Sequence, residues 1–442
     1  MEICGGYFEF LISMSKVRLN LRIYGLDRGV LPMLCLCMCP GGGLIRTYYS
    51  SWTKTEKVIK IMSSFAVTLE RITVRPHPNA DRLDLARVGL FDAVIGKDQF
   101  KTGDVVIYIP EQAVLPEWLI TKLNLVGKLN GKAKNRVKAV ALRGALSQGI
   151  VAPLSIVNTF PEDVHYRETV DALRTIHNTE LSTYDFSAIL GVEKWQPEVP
   201  IHMSGDVVAA TDLLPWIDIE NIKRFPDIFA KGDEVSVTEK LHGTCTLATV
   251  VFNADKDIEE VLVTSKGFAE KRLVLVENEG NLYWRAVNGY PVRELAAELS
   301  NLVEGVASVG IYGETYGAGI QDLAYGATRS GLPGFAVFDA YIKLTSGEGF
   351  WVASKIVTET AEKVGMPSVP VLFEGEYDIE HIATIASGKE QMSGTEANMR
   401  EGVVIRSAQE HKWVDAFGNG HRKIAKFVTE EYLTRKGGTE FQ

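Results

Sequence analysis

A lysine at the end of a strand, close to a glycine, can act as a covalent nucleophile, and Glu239-Lys240-Leu241-His242-Gly243-Thr244-Cys245 offers that arrangement. The preceding run Glu234-Val235-Ser236-Val237-Thr238 alternates with a period of two and reads as a strand, which puts Lys240 at its end. Gly243 has no Cβ and lets the backbone approach a ligand closely. The amine must first lose a proton, and desolvation or a bound cation nearby would disfavour its ammonium form. Alone, a Lys-x-x-Gly turn is more often a solvated strand end.

Further strand patterns bring polar groups of the right kind. Residues 261–267 form an apolar run ending in Lys266 and Gly267, and residues 309–317 deliver Glu314 between glycines. Across residues 334–341 the alternation puts Phe335, Val337 and Asp339 on one face and Phe338 on the other. Glu401 opens the run 401–406, and Lys423 and Lys426 lie in 422–427. Upstream, Asp218 is placed to N-cap a short helix ending before Pro226, with Asn221 as an amide on that helix.

These strands need a frame larger than one core. At 442 residues and 46% hydrophobic content the chain is expected to divide into two or three domains. Short alternating strands at 65–72, 83–90 and 104–110, with turn chemistry at His77-Pro78-Asn79-Ala80-Asp81, suggest a small β-barrel. Residues 144–153 would close it. The net charge of −9 argues against a general nucleic-acid coat but does not describe a groove. Between Trp118 and Pro161 there is no acid, while Lys122, Lys128, Lys132, Lys134, Arg136, Lys138 and Arg143 are all present. Such a run is either a solvated face or a surface for phosphates, and Lys132, Lys134, Arg136 and Lys138 are its candidate nucleic-acid contacts.

The first 62 residues differ from the rest, holding Cys4, Cys35, Cys37 and Cys39, four of the five cysteines. Their spacing matches no zinc pattern, and no metal site is expected there. A leader segment, or sequence upstream of a start at Met62, are the two readings of this extension. With Cys245 the only later cysteine, the remainder suits a reducing compartment. No apolar stretch has the length of a membrane span, so a soluble, intracellular, cytoplasmic chain is expected, with an organellar leader left open.

Taken in order, the segments around Lys240, Lys266, Glu314, Phe338, Glu401 and Lys426 resemble the nucleotidyltransferase motifs of the covalent ligase and capping-enzyme superfamily. The closer resemblance is to ATP-dependent RNA ligases of the Deinococcus type, in which an oligonucleotide-binding (OB) barrel precedes the adenylyltransferase domain. DNA ligases and capping enzymes mostly have Lys-x-Asp-Gly, whereas this branch has Lys-x-His-Gly, as in Lys240-Leu241-His242-Gly243. The last motif departs from the family's frequent Lys-x-Lys: Ile424 stands two residues before Lys426, and Lys423 three.

The resemblance implies an α+β chain: an N-terminal OB-type β-barrel at 63–155, a connector at 156–205, and a nucleotidyltransferase (adenylation) domain of antiparallel sheets with flanking helices at 206–442. It implies that Lys240 attacks ATP to form lysyl-AMP, aided by Lys426 and Lys423, with Glu401 holding Mg2+ or Mn2+. Phe338 would stack on adenine, Glu239 and Leu241 would line the base pocket with His242 and Gly243 beside them, and Asn221 would touch the base edge. Glu314 would hold the ribose, and Lys266 would sit near the sugar or a phosphate. The implied partner is RNA or a nicked RNA-containing duplex, met by a monomer in RNA repair. An RNA-capping guanylyltransferase and a non-catalytic OB-type nucleic-acid-binding protein are the alternatives; the first is disfavoured by His242 and by the barrel's place ahead of the catalytic domain, the second by the intact lysine set.

Overall fold

The run Val105–Ile109 is apolar throughout, and the protein uses both of its faces. A computed structural model of the chain describes residues 7–14, 17–24, 65–159, 181, 185–196, 206–210, 213–216, 218–327, 331–415 and 420–435. In this strand Val106 and Tyr108 enter one apolar cluster with Ile72, Ala86, Val88 and Phe91, while Ile107 and Ile109 enter another with Val67, Leu69 and Leu119. A period-two strand can do this only when covered on both sides. It pairs antiparallel with Thr68–Arg71 and Ile150–Pro153, and a second three-stranded sheet joins Thr73–Pro76, Leu83–Val88 and Phe91–Gly96. The last strand follows the turn Gly89-Leu90, where a single run to residue 90 was expected.

The connector supplies part of this core. Leu181, Phe186, Leu190 and Val192 pack into the cluster of Val67 and Leu69, and Glu193–Lys194 pairs with Ala113–Val114. Most of the expected connector, including Pro161, Pro197 and Pro200, lies outside the described residues. So do Cys4, Cys35, Cys37 and Cys39. Within the separate unit Met1–Lys60, Tyr7–Met14 and Val17–Tyr24 pair as an antiparallel hairpin.

Two sheets build the second domain. The larger has seven strands in the order Val207–Ala209, Leu273–Leu275, Ile258–Ser265, Thr244–Phe252, Val306–Tyr316, Gly334–Leu344, Gly349–Trp351. The smaller has five: Glu220–Asn221, Ile424–Val428, Gly402–Ser407, Glu234–Lys240, Val371–Glu376. Helices Leu282–Gly289, Val292–Ser300 and Ser354–Lys363 contribute to the core that holds Val309, Ile311 and Ile342 of the large sheet. Helix Ile379–Ala386 does the same for Val403, Ile405, Ala425 and Phe427 of the small one. Burying each of these valine, isoleucine and phenylalanine side chains stabilises the fold by about 1.5–3 kcal/mol, and strand alternation then turns the residues between them toward the other sheet.

The expected helix after Asp218 is absent. Glu220–Asn221 is instead a short strand parallel to Ile424–Val428, and a one-turn helix starts only at Pro226. The Asp218 carboxylate is not free to cap, because Lys194 and Lys266 each approach it to 2.5 Å. The barrel meets the second domain next door. Arg224 donates to Thr68 Oγ1 at 2.6 Å and to Glu70 at 2.5 Å, and the Leu90 amide donates to the Lys223 carbonyl at 2.7 Å. Gly89 has φ +57°, and a Cβ there would lie 2.9 Å from that carbonyl, so both backbone and contact require glycine.

Candidate active site

Between the two sheets lies a pocket lined by Glu239, Lys240, Leu241, Cys245, Lys266, Glu314, Phe338, Val404, Ile424 and Lys426, among others. Alternation explains the membership. Val403 and Ile405 face the outer core, so Val404 and Arg406 face the pocket; Ala425 and Phe427 face outward, so Ile424 and Lys426 face in. Lys423 has the outward parity. It pairs with Asp233 at 2.6 Å and lies over the Phe229 ring, away from the pocket, so the structure does not bring it to the other candidate residues.

Phe338 reaches the pocket through a β-bulge. The pairing of Val306–Tyr316 with Gly334–Leu344 slips between Tyr312 and Gly313, so Phe338 has no opposite number. Phe335 and Val337 face the core before the slip, Ala340 and Ile342 after it, and Phe338 and Asp339 both line the pocket. The expected grouping of Asp339 with Phe335 and Val337 is therefore broken. Arg406, buried, donates to the Phe338 carbonyl at 2.7 Å, and Asp339 accepts from Arg422 at 3.2 Å through its Oδ1. Neither arginine was singled out by motif.

At the centre, Lys240 Nζ lies 2.5 Å from Glu401 Oε1, with the lysine side chain 24% exposed. Burial works against its positive charge, but Glu401 and Glu314 outweigh it and hold the ammonium above its ordinary range. This is the reverse of the expected activation. Glu401 is buried, yet Lys240 and His242 keep it below the ordinary carboxylate range. For Glu314, burial dominates and pushes the carboxyl up to about 7; its Oε2 accepts from the Cys245 thiol at 3.1 Å. Burial, together with Lys266 and Lys240, lowers Lys426. Three lysines from two sheets thus converge on one pocket. Lys266 opens the turn Lys266–Ala269, past the end of its strand, where Asp218 keeps it charged against burial.

Two predicted residues stand behind the pocket. His242 does not line it: Nε2 is 2.7 Å from Asp322 Oδ1, Nδ1 is 2.6 Å from the Tyr432 hydroxyl, and Glu401 Oε2 is 3.7 Å away. Gly243 serves the fold, because a Cβ there would lie 2.3 Å from the Thr315 carbonyl. Asn221 lies on a neighbouring cleft of about 680 Å3 between barrel and second domain, where its Oδ1 accepts from the Lys223 amide at 3.0 Å. That cleft shares Asp218, Lys266 and Lys426 with the pocket.

On the barrel, Lys132 and Lys134 are exposed and Lys138 is half-buried. Arg136 is buried, with its guanidinium 3.5 Å from the Trp195 ring centroid, and so is removed from the expected phosphate-facing set.

No group of three or more metal-ligating side chains exists among the described residues. A single carboxylate suits a cation that keeps most of its water and borrows oxygens from phosphates. Glu401 fits that description, since its buried Oε2 has no hydrogen-bond partner among the described residues. No described helix is long and apolar enough to cross a membrane.

A family model described as RNA ligase matches residues 233–428, and one described as an OB-fold domain matches residues 66–154. Among solved structures, Naegleria gruberi RNA ligase with PPi is similar at TM-score 0.60 and 21% identity, over 84% of this chain and 98% of that one. A glutamate-to-alanine mutant of that ligase with AMP and Mn matches at TM-score 0.60 and 20% identity, over 84% and 98% of the two chains. Its lysine-to-alanine mutant with ATP and Mn matches at 0.59 and 20%, over 84% and 97%. At this identity the likeness speaks for the fold. A search of curated proteins gave no match.

Proposed function

We propose that this chain, whose residues 233–428 match the RNA ligase family model and whose residues 66–154 match an OB-fold domain model, is an ATP-dependent RNA ligase that joins 3′-hydroxyl and 5′-phosphate ends. The observation that carries the reading is the convergence of Lys240, Lys266 and Lys426 on a pocket that also holds Glu314 and Phe338. Two cations beside a nucleophilic lysine suit a triphosphate, whose transfer chemistry rests on positioning and charge neutralisation.

In the first step the Lys240 ammonium gives up a proton to solvent, Nζ attacks the α-phosphorus, the bond to pyrophosphate breaks and pyrophosphate leaves, and Nζ sheds a second proton to give the phosphoramidate bond to AMP. Lys426 and Lys266 neutralise the phosphates, Phe338 stacks on adenine, Glu314 takes the ribose hydroxyls, and Glu239 and Leu241 line the base. A divalent cation such as Mg2+ or Mn2+, held by Glu401, would supply further charge at the phosphates. AMP then passes to a 5′-phosphate, and a 3′-hydroxyl displaces it to seal the strand. The exposed Lys132 and Lys134 of the barrel are candidate contacts for the nucleic acid, while Lys423 pairs with Asp233 and Asn221 lies on the neighbouring cleft.

Incubation with radiolabelled ATP or GTP and magnesium, followed by denaturing electrophoresis, tests the reading. Label from ATP that is lost in Lys240→Ala is expected. Label from GTP alone indicates a capping-type enzyme, and persistent labelling of Lys240→Ala refutes the nucleophile.

A further inference from the structure

The RNA ligase match ends at residue 428, yet the seven residues that follow touch both halves of the candidate centre. Thr429 caps helix Glu430–Thr434, and both its amide and its hydroxyl donate to the Glu401 carbonyl, at 3.0 and 3.1 Å. From the same helix the Tyr432 hydroxyl reaches His242 Nδ1 at 2.6 Å. Arg435, at its C-cap, grips Asp322 with Nε at 2.9 Å and Nη2 at 3.0 Å, and donates to the Tyr432 carbonyl at 2.6 Å. Its guanidinium also lies 3.7 Å from the Tyr432 ring centroid. Asp322 in turn accepts from His242 Nε2. One short helix therefore ties the backbone of Glu401, the ring of His242 and the loop of Asp322 together.

We propose that Tyr432, Arg435 and Asp322 are positioning residues: they hold His242 with both ring nitrogens engaged, and so fix the strand of Lys240 against that of Glu401. This rests on the ligase reading for its consequence, though not for its geometry. A carboxylate can only accept, so Nε2 carries a hydrogen and, in the neutral ring, Nδ1 accepts from the tyrosine hydroxyl. With both nitrogens engaged, the imidazole acts as a strut behind the pocket. The strands it braces are hydrogen-bonded neighbours, with Lys240 directly opposite Gly402, the residue after Glu401. None of Tyr432, Arg435 and Asp322 lines the nucleotide pocket, so they act on the attack geometry and not on nucleotide binding.

The test separates those two effects in Tyr432→Phe, Arg435→Met and Arg435→Lys, using the full chain and the rate of lysyl-AMP formation at varied ATP. Tyr432→Phe is expected to lower kcat by about 3- to 10-fold, the worth of one buried hydrogen bond, and Arg435→Met, which removes three donor contacts, by at least as much, each with the KM for ATP changed by less than about twofold. Arg435→Lys should recover part of the loss by keeping the charge without the two-pronged grip. Independently of activity, the His242 imidazole 15N–1H signal should move in Tyr432→Phe. An unmoved signal, an unchanged kcat, or a loss confined to KM overturns the proposal. If the parent chain forms no lysyl-AMP, the ligase reading fails, and the imidazole signal still decides whether the strut exists.

Discussion

Replacing Glu239 with Gln removes a charge that the folded chain must strip of water. The residue is 1% exposed; its Oε2 accepts from the Gln391 amide at 2.7 Å, Arg400 Nε is 3.9 Å away, and Oε1 has no hydrogen-bond partner among the described residues. Burial raises the carboxyl from 4.5 to about 7, only partly opposed by the Gln391 amide and Arg400. Unfolded, the group titrates at its ordinary value. Between the two values the folded chain binds more protons than the unfolded one, so this contribution to stability is complete below the unfolded value and is lost as pH rises to the folded one. A carboxyl held at about 7 instead of 4.5 corresponds to at most roughly 3 kcal/mol lost at about pH 8, and to less than about 1 kcal/mol near pH 5. Glu239→Gln keeps an acceptor for the Gln391 amide and discards the charge. Urea unfolding of both chains at the two pH values, followed by tryptophan fluorescence, should show the variant gaining on the parent as pH rises. A difference that stays constant across that range, or grows in the parent's favour, refutes the reasoning.

Parity on the last strand gives a paired prediction: Lys426→Ala should slow lysyl-AMP formation by roughly 100-fold or more, whereas Lys423→Ala should leave it within about threefold and cost no more than about 1 kcal/mol of stability from the lost Asp233 pair. Equal losses in single-turnover labelling would place Lys423 back among the phosphate contacts. On the barrel, changing Lys132 and Lys134 together to Ala should leave lysyl-AMP formation intact and flatten the salt dependence of RNA binding by about one unit of log–log slope per lysine. An unchanged slope would mean that this face is merely solvated.

What the sequence made legible was periodicity. Val235 and Val237 alternate with polar neighbours, and the same period of two, with Val403 and Ile405 and with Ala425 and Phe427 on the core side, sends Lys240 and Lys426 to a common side. The same rule, applied to Lys423, already excludes it from that side. Periodicity failed where the backbone breaks it: the slip opposite Gly313 moves Asp339 from the core face to the pocket, and its one sign in the sequence is that glycine, on the partner strand and not on the bulged one. It was also silent on partners far along the chain. Asp322 and Tyr432 lie 80 and 190 residues from His242, so the histidine's role as a strut could not be read from Lys-x-His-Gly. Charge counting misled at Arg136, because Trp195 from the connector buries a guanidinium that sits in a basic run. Asp218 misled similarly: its two lysines come from the connector and from the far sheet, and they convert an expected helix cap into the centre of an ion-pair cluster.

The arrangement of charges sets a condition on the chemistry. Three buried or half-buried ammonium groups in one pocket would repel one another and lack water, and the fold offsets this with carboxylates: Glu401 on Lys240, and Asp218 on Lys266. A triphosphate entering the pocket must take over those partners, so its binding is stabilised only by the difference between phosphate and carboxylate contacts, not by their full strength. Lys426 differs, because burial and its cationic neighbours lower it, and a phosphate there relieves a standing repulsion. Binding should therefore draw most on Lys426. Lys240 keeps its ammonium form while Glu401 is its partner, since Glu401 and Glu314 outweigh burial.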